Sequence, residues 1–76
     1  MPVIRKCHDR VALARRIFAE KIGAEFQAMA DKDWIQERDA RVAGDHRLAV
    51  YKSTRAHAFE MAARHVWREL ERMEGV

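Results

Sequence analysis

Ala43-Gly44-Asp45-His46 sets the topology of the chain. Gly44 suits the left-handed position just past a helix C-terminus, and Asp45 suits the N-cap of a following helix, so the two together read as a chain reversal. Helix formers dominate on both sides of it. Proline occurs only at position 2 and glycine only at 23, 44 and 75, so long segments run without a breaker. The reading is all-α: one domain over residues 1–76, a helical hairpin of two long antiparallel helices, the second running from about His46 to Gly75.

Before the reversal, Ile4, Cys7, Val11, Ala14, Phe18, Ile22, Phe26 and Met29 recur at i, i+3 and i+4 steps and form an apolar stripe about seven turns long. A second stripe of Leu13, Ile17, Ala24 and Ala28 lies on another side and is continued by Ile35 and Val42. One partner helix cannot cover both, so a third helix or another subunit is expected. After the reversal, Leu48, Phe59, Ala62, Val66, Leu70 and Met73 share one face. Asp33 with Gln36 has capping-box spacing, which predicts that the first helix either bends or restarts near 31–33, the restart giving three helices.

Composition narrows the function classes. At 76 residues and 8.9 kDa the chain is near the lower size for unaided folding, and thirteen of its apolar residues are alanine, so the core of a single copy is thin. A multi-step enzyme active site is not expected in it. The net charge of +3 permits an anionic partner but is far from that of a dedicated nucleic-acid binder. The single cysteine, Cys7, excludes an intrachain disulfide and suits a reducing compartment. No apolar run approaches the roughly 20 residues of a membrane span, and Met1–Lys6 has no signal-peptide h-region. A soluble cytoplasmic protein is expected.

The residues that invite chemistry give little of it. His57 and His65 stand about two helical turns apart, and Cys7-His8 is an adjacent pair, so neither has metal-ligand spacing. Cys7 sits on the apolar stripe, and Ser53 and Thr54 have no glycine-rich turn to supply oxyanion donors. No catalytic residue, metal or cofactor is expected.

Two segments are basic. Residues 1–16 carry Arg5, Lys6, Arg10, Arg15 and Arg16 against Asp9, and between Asp45 and Glu60 lie Arg47, Lys52 and Arg55 with no carboxylate. Arg55 shares the face of Leu48 and Phe59, so it needs a counter-charge. Either Asp31, Asp33, Glu37 and Asp39 supply it across the hairpin, or an external anion does. Tyr51 and Trp67 offer stacking surfaces to a base.

Two resemblances bear on function. Phe18-Ala19-Glu20-Lys21-Ile22-Gly23-Ala24 is similar to a segment of phage-repressor-like helix-turn-helix domains, which would imply DNA binding by residues 4–33. Such a domain needs a turn at Val11-Ala12-Leu13-Ala14, where no Gly, Ser or Thr stands, and Glu25, Asp31 and Asp33 on its reading helix would repel phosphates. In the last helix, Asp45-His46-Arg47-Leu48-Ala49-Val50-Tyr51-Lys52-Ser53, followed by Ala58-Phe59, Arg64 and Val66, resembles the closing helix of the viral helical-hairpin sponges that counter CBASS and Thoeris immunity. That resemblance implies a small phage anti-defence protein, a symmetric homo-oligomer that sequesters cyclic nucleotides without cleaving them. It carries Arg47, Lys52, Ser53 and Arg64 over as ligand contacts, and Arg55 joins them from the basic segment. The alternative is an adaptor or inhibitor whose Trp34, Ile35 and Val42 dock on a host protein.

Overall fold

The computed structural model describes the backbone of residues 2–74 and the side chains of residues 10–73. Two helices, α1 (Pro2–Val42) and α2 (His46–Glu74), pack against each other along their length as an antiparallel hairpin. The reversal is built as its residues predict. Gly44 adopts φ of +78°, its N–H donates to the Arg41 carbonyl at 3.1 Å, and the Asp45 N–H donates to the Ala40 carbonyl at 2.9 Å. This pair of bonds is a Schellman C-cap. Asp45 Oδ1 then accepts from the Leu48 N–H at 3.1 Å and caps α2.

No break or restart occurs at 31–33, because α1 is a single helix through these residues. Asp33 is not an N-cap. It is buried, 4% exposed, and faces α2. The continuous helix also leaves no turn at Val11–Ala14, so residues 4–33 do not form the helix-turn-helix unit that Phe18–Ala24 suggested.

The seam between the helices is made of small residues. Ala49, Ala56, Ala63 and Leu70 recur every seven residues on α2 and are all buried. Opposite them α1 buries Gly23, Ala30, Asp33, Glu37 and Ala40. A seven-residue repeat keeps one face of each helix on its partner, and alanine at the repeat lets the backbones approach closely.

This seam displaces the stripe of larger residues. Ile22 and Phe26 are half-buried, Met29 and Val11 are about half exposed, and Phe18 is 66% exposed. On α2, Leu48 and Met73 are also exposed, and only Leu70 of that face enters the seam. The second stripe is equally uncovered, with Leu13, Ile17, Ile35 and Val42 exposed. The side chains of Ile4 and Cys7 lie outside the described residues, as do those of Arg5 and Lys6 and the whole of Gly75.

Phe26 and Phe59 stack with ring centroids 6.2 Å apart on one broad face of the hairpin. On the other face Trp34 Nε1 donates to Glu60 Oε1 at 2.6 Å, with the His57 ring edge-on at 5.0 Å. With 41 residues against 29, α1 is the longer helix by twelve, about 18 Å at the α-helical rise. Ala12, Leu13 and Arg16 share a hollow with Leu70 and Met73, so the N-terminal turns of α1 extend past the end of α2.

Candidate functional site: a cation-rich hollow around Asp33

Charge converges at one place between the helices. Asp33 projects from α1 toward α2, where Lys52 Nζ lies 3.7 Å from its Oδ1 and Arg55 Nε lies 3.4 Å from its Oδ2. The Asp33 side chain is 5% exposed, that of Lys52 20% and that of Arg55 44%, so a buried carboxylate is held by two cations that keep contact with water. Taking a lone carboxylate out of water is costly, and the two long ion pairs offset that cost. Of the four carboxylates considered for the basic segment, Asp33 is the one that pairs with Lys52 and Arg55. Glu37, also buried, forms an i, i+4 ion pair with Arg41 on its own helix, yet its Oε1 receives no well-aligned hydrogen bond.

Around this centre Met29, Lys32, Asp33, Gln36, Lys52, Arg55 and Phe59 line a shallow hollow of about 310 Å³. Three of its lining residues are cations and one is a carboxylate, so the pairing with Asp33 leaves an excess of positive charge. Arg55 also connects the charge to aromatic surface. Its Nη1 donates to the Tyr51 hydroxyl at 3.3 Å, and its guanidinium carbon lies 5.8 Å from the Tyr51 ring centroid and 5.5 Å from that of Phe59. Both distances are within cation–π range. The hydrogen bond and charge of Arg55 lower the Tyr51 pKa below 10.0. The bonds to Tyr51 and then to Asp33 raise the pKa of Arg55 in turn.

The remaining candidates lie elsewhere. Ser53 lines a separate hollow with Arg41, His46, Ala49, Val50 and Thr54, and Arg47 and Arg64 are exposed. Within one chain, then, Lys52 and Arg55 come together and Arg47, Ser53 and Arg64 do not join them. Lys32 and Gln36 belong to the hollow although no motif marks them. The signal that locates them is the alanine repeat of α2, which sets the register of the helices and so decides what faces Lys52. Among the described residues no three His, Cys, Asp or Glu side chains group as metal ligands would, and no helix is long and apolar enough to cross a membrane.

No family model matches the chain, and neither does any curated protein or solved structure.

Proposed function

We propose that this protein is a small non-catalytic binding protein that works as a homo-oligomer of hairpins. The observation that carries this is the surface one copy leaves uncovered. A compact monomer of this mass exposes about 4,800 Å² and a compact chain of this length has a radius of gyration of about 11 Å. Here the values are 6449 Å² and 17.9 Å. Among the described residues no large side chain is fully buried, so most of the apolar side chains find no cover within the hairpin. Association is the ordinary way to cover such faces.

The ligand we propose is a phosphorylated small molecule, with a cyclic oligonucleotide as the concrete case that the resemblance of the last helix to the viral sponges suggests. Support comes from the excess of cations in the hollow at Lys32, Lys52 and Arg55 and from the aromatic surface of Tyr51 and Phe59 beside it. Arg and Lys contacts to phosphate are charge-assisted, roughly twice the strength of neutral hydrogen bonds. Arg47, Ser53 and Arg64, the other positions the resemblance names, lie outside this hollow within one chain. A thermal-shift series with cyclic di- and trinucleotides tests this: a specific rise in Tm that is lost in Lys52→Ala supports sequestration, and no response to any member rejects the ligand.

The uncovered second stripe favours a different reading, that of a protein-binding adaptor. Ile35 is 64% and Val42 86% exposed, next to the half-buried Trp34. In that case Ile35→Glu removes binding to the target while the cyclic-nucleotide series stays silent.

A further inference from the structure

We infer that a second copy seats on the broad face that carries the Phe26–Phe59 stack, related by a two-fold axis that crosses α2 at Ala62. This rests on the association reading above and not on the ligand. A second seven-residue pattern runs along α2. Besides the alanine seam that faces α1, Arg55, Ala62 and Glu69 recur every seven residues, and so do Lys52, Phe59, Val66 and Met73 beside them. Their common face is shown by contacts: Lys52 and Arg55 reach Asp33, and Phe59 stacks on Phe26. Phe59, Ala62, Val66 and Glu69 are all half-buried, since α1 covers only one edge of them.

This pattern is complementary to itself when reversed. An axis at Ala62 sets α2 antiparallel to α2 of the second copy, so residues equally far on either side of Ala62 meet. Arg55, seven residues before, faces Glu69, seven after, whose half-exposed carboxylate also pairs with Arg72 at 2.9 Å on its own helix, and by symmetry the Arg55–Glu69 pair forms twice. Phe59 faces Val66. Ala62 meets its own copy, and its small side chain permits a close approach. Such matching is what an isologous interface requires.

The same axis can be checked independently on α1. Phe26 is level with Phe59 and Gly23 with Trp67, so the axis crosses α1 near Glu25. Ile22 then faces Met29 of the second copy, and the exposed Phe18 ring faces Lys32, a cation–π partner. Glu25, exposed, lies near its own copy at the axis, a like-charge contact that opposes the pairing. The part of this face where both helices lie side by side, 29 residues of α2 or about 43 Å long and 16 Å wide, offers about 700 Å² of projected area, close to the roughly 800 Å² per partner of a stable interface. The second copy's Glu69 would also supply an anion to Arg55, so a phosphorylated ligand in the hollow would compete with it.

Cysteine cross-linking in a Cys7→Ser background tests the inference. Ala62→Cys sits on the proposed axis, and Val50→Cys sits on the opposite broad face beside Ser53. Under mild oxidation at micromolar protein, Ala62→Cys is expected to form disulfide-linked dimer at least tenfold faster than Val50→Cys. Sedimentation of the reduced proteins is run alongside. If the chain associates but Val50→Cys links faster, or the two link alike, or neither links, this face is wrong and the association reading stands. A monomer at every concentration overturns both. Glu69→Arg, checked for helicity by circular dichroism, should raise the dimer dissociation constant roughly tenfold, and an unchanged constant overturns the Arg55–Glu69 pairing.

Discussion

Gly23 lies against the indole of Trp67 so closely that a Cβ placed on it would stand 2.9 Å from Cζ2 and 3.0 Å from Cε2. Glycine inside a helix costs about 1 kcal/mol relative to alanine, so Gly23→Ala would stabilise an exposed helix. Here the overpacking cost of about 1–3 kcal/mol opposes it, because a bulky ring held between two helices cannot swing aside as a flexible chain end would. The net expectation is destabilisation by about 1 kcal/mol in urea unfolding at fixed protein concentration. Combining it with Trp67→Phe should show positive coupling in a double-mutant cycle, and additive losses would mean that the contact does not matter.

The turn offers a second test. Gly44 has φ of +78° with no neighbour within 4 Å of its missing Cβ, so Gly44→Ala is strained by its backbone and not by crowding. A loss of about 1 kcal/mol is expected, and Asp45→Ala should cost a similar amount by removing the cap on the Leu48 N–H. Either variant at wild-type stability contradicts the account of the reversal.

Asp33 separates stability from binding. Asp33→Asn withdraws the carboxylate that Lys52 and Arg55 share and should lower stability by about 1–2 kcal/mol, moderated by the water that both cations still reach. It also removes the one carboxylate that lines the hollow within the chain beside Lys32, Lys52 and Arg55. The affinity for a cyclic dinucleotide, measured by calorimetry, should therefore rise while stability falls. Both falling together would mean that Asp33 organises the ligand contacts instead of opposing them.

Tyr51 is the only tyrosine, so its ionisation can be followed directly by ultraviolet absorbance. The hydrogen bond and charge of Arg55 place its midpoint below 10.0. Since the folded value is depressed, this group adds stability as pH rises from the folded midpoint to 10.0, and that increment is lost as pH falls through the folded midpoint. Arg55→Gln should move the midpoint up toward 10.0, and added salt should move it the same way because the pair is exposed. A midpoint unaffected by Arg55→Gln contradicts the pairing.

What the sequence disclosed divides by residue size. Gly44 and Asp45 carry local conformational preferences, so the hairpin and its turn were legible. The seam was not, because Ala30, Ala49, Ala56 and Ala63 are too small to register beside Phe18, Phe26 or Val11 in a count of apolar stripes. The seven-residue spacing of the alanines was present, but the large side chains drew the reading to a face that stays half open. Asp33 misled for a related reason. Its local spacing to Gln36 suggested a cap, whereas its tertiary partners on α2 hold it inside a continuous helix. Among the candidate site residues, a carboxylate partner for Arg55 from Asp31, Asp33, Glu37 and Asp39 was one of two alternatives that the basic segment left open, and the register of the helices selects Asp33. The separation of Ser53 from them depends on the register of α2, which the basic segment does not encode.

If one hairpin is incomplete by itself, sedimentation equilibrium from about 1 to 500 μM will register it. A mass that rises with concentration to a whole multiple of 8.9 kDa is expected. A mass of 8.9 kDa across the whole range would contradict it.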